Sequence, residues 1–162
     1  EFGSKLKELV RTIKGLPRGE RALVFVQFDD LMEVVAHALR DGGVGAQQLK
    51  GSVFQKTSAL GAFQREDGSS AGGPTCLLLN IGNESAAGAN LTIANHAFFV
   101  HPILADSDHT YQAWETQAIG RIRRYGQTKK VHIHRLLVEG TIDQEIALSR
   151  GGITLSSPEV ET

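Results

Sequence analysis

The chain has 162 residues, 41% of them apolar and 22% charged, and a net charge of −1. That is enough for one domain with a sizeable core, in a composition ordinary for globular proteins, and it excludes a broadly basic nucleic-acid-binding domain, so any such contact must be local. No apolar run is long enough to cross a bilayer, and the single cysteine, Cys76, excludes an internal disulfide and a cysteine-only zinc site and fits a reducing, intracellular setting.

The first four residues, EFGS, read as a cloning scar and are set apart from fold reasoning, which points to a piece taken from a longer protein. Leu6, Leu9, Val10 and Ile13 recur at helical spacing and stop at Gly15 and Pro17, which predicts a first helix. Residues 21–28, RALVFVQF, form a continuous apolar run typical of a buried parallel strand. Asp29 or Asp30 is expected to cap the helix that follows and ends at Gly42-Gly43. A short strand is expected within 43–51, then a helix over 55–66 with Leu60 and Phe63 on one face. Residues 67–74, DGSSAGGP, read as a glycine-rich surface loop.

Residues 75–81 and 96–102 are the next two buried strands, a helix is predicted over 109–124, and a strand over 130–139. A last helix is expected over 141–150, and a flexible tail over 151–162. Strands alternating with helices at short spacing predict an α/β fold: a parallel sheet covered by helices on both faces. Ligands of such sheets sit at the carboxyl ends of strands. The loop 82–90, which follows a buried strand, is therefore expected on the ligand-binding rim.

On the helix predicted over 109–124, Gln117, Arg121 and Arg124 fall at i, i+4 and i+7, along one stripe. Ala118 and Ile122 fall on a neighbouring stripe that can face the sheet. A guanidinium is permanently charged, planar and forked, which suits phosphate oxygens. A P-loop nucleotide hydrolase needs a glycine-rich loop ending in Gly-Lys-Ser/Thr, and no Gly-Lys pair occurs in this chain. Arginines without a phosphate cradle fit a divided active site, in which one domain holds the nucleotide and another supplies an arginine finger. His132 and His134 share one face of a predicted strand but lack a third ligand at metal spacing, so no metal site is expected. Tyr111 and Trp114 are read as packing residues.

The stretch QAIGRIRRYGQTKKVHIHRLLVEGTIDQEI resembles the last helicase motif of the Swi/Snf-related ATPases of helicase superfamily two. Their pattern, Gln-Ala-x-x-Arg-x-x-Arg-x-Gly-Gln and then a Thr-Ile/Val-Asp/Glu-Glu helix, is matched at Gln117, Ala118, Arg121, Arg124, Gly126, Gln127, Thr141, Ile142 and Glu145. AAGANLTIANHAFFVHP is similar to the preceding motif, at Gly88, Asn90, Leu91, Thr92 and Pro102. ALVFVQF resembles the first motif of the second lobe, and LKGSVFQKTSALGAFQ the next, with Gly51 and Phe63 in place. The resemblance spans residues 5–150 in order. QAIGR at 117–121, with Gly120 where most relatives have an acidic residue, and the HPIL stretch look like the branch of SNF–histone-linker–PHD–RING helicases, although no RING cysteines are present.

The resemblance implies a three-layer RecA-like domain, the second lobe of a two-lobed DNA translocase acting in chromatin remodelling or DNA repair. ATP and Mg2+ would be bound mainly by the first lobe. Arg121 and Arg124 would be the arginine fingers, with Gln117, Gly88 and Asn90 at the nucleotide. Gln27, Phe28, Lys50, Gly51, Ser52 and Thr92 would contact DNA, following a backbone track that positions without reading sequence. The implied partners are double-stranded DNA, free or in nucleosomes, and the N-terminal RecA-like lobe of the same parent chain, with no membrane. The implied location is nuclear. A degenerate lobe kept as a protein-interaction or regulatory module is the alternative. An RNA helicase lobe fits less well, because Gln117-Ala118 and Gly126-Gln127 depart from His-Arg-x-Gly-Arg-x-x-Arg. A dinucleotide-binding domain lacks its Gly-x-Gly-x-x-Gly after the first strand.

Overall fold

The apolar run at 21–28 becomes β1 (Ala22–Val26), with all five residues buried, because both faces of the strand are covered. The structure is a computed structural model that describes residues 3–64, 75–81, 90–101, 105–136 and 160–161. Around β1 lie α1 (Ser4–Lys14), α2 (Asp29–Asp41), β2 (Ala46–Gln48), α3 (Val53–Gln64), β3 (Cys76–Asn80), β4 (His96–Phe99), α4 (Asp108–Ile119), β5 (His132–Arg135) and β6 (Val160–Glu161). The sheet order is β2-β3-β1-β4-β5-β6. The first five strands are mutually parallel, and β6 pairs antiparallel with β5.

Register divides the core into two layers. Leu23 stands opposite Leu77 and Ala97, and Ala97 opposite Ile133. These residues, with Phe25, Leu79 and Phe99, face Ala59 and Phe63 of α3 and Tyr111 and Ala118 of α4. Ala22, Val24, Val26, Cys76, Leu78 and Phe98 point the other way, toward Leu9 and Ile13 of α1 and Met32, Val35, Ala36 and Leu39 of α2. The period-two alternation of a strand thus builds two hydrophobic layers from one run of apolar residues. The expected three-layer arrangement is the one observed. Tyr111 is buried and Trp114 packs against the same layer, as packing residues should.

Several boundaries differ from the expected ones. Phe28, not an aspartate, occupies the N-cap position of α2, and it makes no side-chain cap bond. Asp29 and Asp30 lie in the first turn, where their charge complements the helix dipole. Asp29 also accepts a 2.9 Å hydrogen bond from Asn80 at the end of β3. Helix α3 starts earlier than expected because Ser52 and Gln55 form a capping box. Ser52 N donates to Gln55 Oε1 at 2.8 Å, and Gln55 N to Ser52 Oγ at 3.2 Å.

The largest correction concerns the arginine helix. It was expected to run to residue 124, but α4 ends at Ile119 with Gly120 as its C-cap. Beyond it the chain continues as turns. Arg123 N still reaches Ile119 O at 2.9 Å, while Ile122 N bonds the same carbonyl at 3.1 Å. One residual turn in the helical sense keeps Ile122 buried on the side of Ala118. Helical periodicity therefore outlasts the helix. The expected loop at 67–74 and last helix at 141–150 lie outside the described residues. Of the expected tail, only Val160 and Glu161 are described.

Candidate functional site

Helix α4 follows β4 and precedes the parallel strand β5, so it must run from the carboxyl end of the sheet back to its amino end. Arg121 and Arg124 come just after it and therefore sit at the amino edge. Asn90 and Thr92 lie at the same edge, because they lead into β4. Of the loop 82–90 expected on the carboxyl rim, only Asn90 is described, and it lies at the amino edge. The carboxyl-end rule describes ligands received by the loops leaving strands, and the arginines stand on a loop that enters one. Gly88 lies outside the described residues.

Backbone bonds bring the two segments together. Leu91 N donates to Arg121 O at 3.1 Å. Thr92 N donates to Asn90 Oδ1 at 3.1 Å, an Asx-type turn. Gln64, the last residue of α3, donates from Nε2 to Asn90 O at 2.7 Å. Gly126 has φ +100°, which a side chain would strain, and a Cβ there would stand 4.0 Å from Thr92 Oγ1. The arginine turn is thus folded against the segment holding Asn90 and Thr92.

Arg121 is half-buried, and burial pulls its guanidinium below its ordinary pKa. It has no anionic partner among the described residues. Arg124 is exposed on the same turn, beside the fully exposed ring of Tyr125. Gln117 is exposed on the last turn of α4. A partly desolvated guanidinium facing no carboxylate can bind an anion strongly, since it gives up little water and no competing ion pair on doing so.

The other proposed contacts form a second group, at the carboxyl rim. Gln27 N donates to His101 Nε2 at 3.1 Å, and Phe28 stacks on the His101 ring with centroids 6.1 Å apart. These contacts tie the end of β1 to the end of β4. Phe28 is half exposed rather than core. Across the rim, Lys50 pairs with Glu33 of α2. Gly51 has φ +89°, and a Cβ there would stand 1.9 Å from Gln55 Oε1, so the capping box requires glycine. The Ser52 hydroxyl caps α3. Arg121, Arg124, Asn90 and Thr92 therefore converge at one edge, while Gln27, Phe28, Lys50, Gly51 and Ser52 lie at the other. Contacts such as Gln64 to Asn90 and His101 to Gln27 join residues 26 and 74 positions apart, beyond the reach of any local pattern.

His132 and His134 are joined by a partner the spacing could not show. His96 Nδ1 lies 3.1 Å from His134 Nε2, and His96 Nε2 lies 2.6 Å from Glu20 Oε2. A carboxylate only accepts, so His96 Nε2 carries a proton; burial disfavours a second proton on that ring, so Nδ1 accepts from His134 Nε2–H. Both rings are neutral in this chain of bonds. Among the described residues no group of three or more His, Cys, Asp or Glu is arranged to hold a metal.

Burial and the neighbouring histidines push His134 down from 6.5 to about 4. Burial also lowers His96, against the opposing pull of Glu20. The bond from His96 holds Glu20 below its ordinary value. As pH falls from 6.5 toward 4, the unfolded chain takes up protons that the folded histidines refuse, so stability falls. Glu20 adds a loss of the same sign below 4.5. Between pH 7.5 and pH 5 the chain is expected to lose about 2 kcal/mol through His134. Denaturant unfolding at both pH values checks this, and His134→Phe should flatten the dependence. An unchanged slope in that variant would contradict the assignment.

No protein-family model matches the chain. It is 48% identical, over 92% of its length, to a DNA (cytosine-5-)-methyltransferase, DMT5, of Cryptococcus neoformans. It is 37% identical over 88% to the DNA repair protein RAD5 of Yarrowia lipolytica, and 32% identical over 88% to the E3 ubiquitin-protein ligase SHPRH of Homo sapiens. The chain spans only 6%, 13% and 8% of those three proteins. Its fold is that of the C-terminal part of the Fun30 ATPase domain, with a TM-score of 0.75 and 20% identity over 99% of this chain and 49% of that one.

Proposed function

This chain belongs to the Swi/Snf-related ATPases of helicase superfamily two, as their C-terminal RecA-like lobe, and from that premise we propose that it completes an ATPase site whose nucleotide cradle lies on another lobe. The observation that carries this is half-buried Arg121, whose guanidinium has no anionic partner among the described residues and whose backbone carbonyl accepts from Leu91 N in the Asn90–Thr92 segment. Arg121 and Arg124 would bind the oxygens of the transferring phosphoryl group and stabilise the charge that develops there. Gln117 and Asn90 supply neutral polar groups beside them, and Gly88 belongs to the same proposal. The Mg2+ that accompanies ATP would be held by the first lobe, where it would neutralise phosphate charge.

Gln27, Phe28, Lys50, Gly51 and Ser52 are proposed to follow the backbone of duplex DNA along the carboxyl rim, with Thr92 at the amino edge completing the proposed DNA contacts. Lys50 would exchange Glu33 for phosphate, since an exposed pair of this kind is worth little. The relatives named for DNA repair and DNA methylation act on DNA, which supports a nuclear motor on chromatin or repair intermediates. The full-length protein is expected to hydrolyse ATP faster with duplex DNA, and the 162-residue chain alone not at all. Phosphate release by each, with and without DNA, checks this. Turnover by the isolated chain would refute the divided site. A full-length protein that never turns over would favour a binding or regulatory module.

A further inference from the structure

Arg121 and Arg124 stand on a segment that is neither helix nor strand. From Gly120 to Lys130 the backbone passes through turns, so no ladder of hydrogen bonds holds it. Arginines that stabilise a transition state must be placed closely, because a displacement of about 1 Å can cost about a hundredfold in rate. A bare loop does not supply that precision.

One side chain does. Gln127 Nε2 donates to Ala94 O at 2.8 Å and to Ile122 O at 2.9 Å. Its Oε1 accepts from Lys129 N at 3.0 Å. Both amide protons and one lone-pair direction are used, on a half-buried residue. Ile122 lies between the two arginines, and Ala94 lies just past Thr92. A single amide therefore joins the inside of the arginine turn to the segment leading into β4. Gln127 N also donates to Arg124 O at 3.1 Å and closes the turn on itself. At its two ends the loop is tied by Leu91 N to Arg121 O and by Asn95 Nδ2 to Lys130 O, at 3.1 Å and 3.0 Å. Asn95 is itself fully buried.

We propose that Gln127 is the positioning residue of the arginine loop, holding Arg121 and Arg124 in fixed relation to Asn90 and Thr92 so that the two segments move as one unit. The inference rests on the reading of these arginines as ATP contacts. Glutamine is required because it alone combines two N–H donors and an acceptor at this reach. Glutamate has the same shape but would set carboxylate oxygens against two carbonyls. Leucine fills similar space and leaves both carbonyls and one N–H without partners, at a cost for each.

The test uses the full-length protein with Arg124→Ala, Gln127→Glu, Gln127→Leu and the double variant Arg124→Ala/Gln127→Leu. DNA-stimulated ATP hydrolysis is read as kcat and KM. Each Gln127 variant is expected to lose about 10- to 100-fold in kcat, with KM for ATP within about twofold. The double variant should be slower than Arg124→Ala by much less than the full factor of Gln127→Leu, because Gln127 acts through the arginines and only Arg121 remains for it to position. Hydrogen exchange should rise in peptides covering 90–95 and 120–130 while β1 and β3 stay protected.

Gln127 variants as fast as wild type beside a slow Arg124→Ala overturn the proposal. So does a double variant slower than Arg124→Ala by the full factor of Gln127→Leu. Loss of protection in β1 and β3 would make Gln127 a brace of the whole fold and refute it as well. An Arg124→Ala variant as fast as wild type removes the arginine reading, and this inference falls with it. That result stands apart from the others because it does not depend on position 127.

Discussion

Arg124→Ala in the full-length protein is expected to cut DNA-stimulated ATP turnover by about a thousandfold or more. The argument begins with what the side chain does not do. Arg124 is exposed, on a turn, and no ion pair or side-chain hydrogen bond engages it among the described residues. An exposed side chain without partners contributes little to folding, so alanine should change stability by no more than about 0.5 kcal/mol. A guanidinium aimed at a transferring phosphoryl group is a different matter. It meets charge that is greatest in the transition state, inside a cleft from which water is displaced. The loss should therefore fall mainly on kcat. Arg124→Lys should recover little, because an ammonium keeps the charge and loses the fork. Steady-state kinetics beside thermal unfolding gives both readouts. Equal rates in wild type and Arg124→Ala would remove the finger assignment, and a large loss of stability would show that Arg124 has a structural role.

Phe63→Ala is expected to cost about 3–5 kcal/mol of folding free energy. Phe63 lies on the last turn of α3, has no exposed surface, and fills the layer between α3 and the strands. The Arg21 guanidinium lies 5.8 Å from its ring centroid, a cation–π arrangement, and the same arginine donates to Phe63 O. Removing the ring takes apolar surface from the core and leaves a cavity that a rigid sheet closes only in part. In a domain of this size each kcal/mol shifts the melting temperature by about 2–4 °C, so a fall of about 10 °C is expected. Thermal unfolding measures it directly. A shift under about 3 °C would mean that α3 does not pack as described. The effect should also reach the site, because the next residue, Gln64, holds Asn90 O.

These two residues differ in how they could be read. Phe63 was legible as core from its spacing with Leu60, and both helix and burial followed. Arg121 and Arg124 were legible as phosphate-suited residues at motif spacing, yet their helix was not. The rule that placed them on one stripe uses only neighbours within a turn. It could not register that Gly120 ends α4, since Ala118 and Ile122 stay buried whether the helix continues or gives way to turns. His132 and His134 show the same limit. Alternation put them on one face of a strand, but His96 joins them only because β4 pairs with β5.

The sequence alone determined the alternation of buried strands and helices, the two-sided parallel sheet, the family to which the chain belongs, and the lack of a phosphate cradle. All of these are read from residue type and short-range order, where periodicity and hydrophobicity act directly. The tertiary structure decided which edge of the sheet carries the arginines, what separates them from the rim holding Gln27 and Lys50, and what keeps their loop in place. Those outcomes depend on crossovers that return the chain to the opposite end of the sheet. They also depend on hydrogen bonds such as Gln127 to Ala94, between residues 33 positions apart. Such bonds form only when the sheet has already brought their ends together, so no local pattern records them.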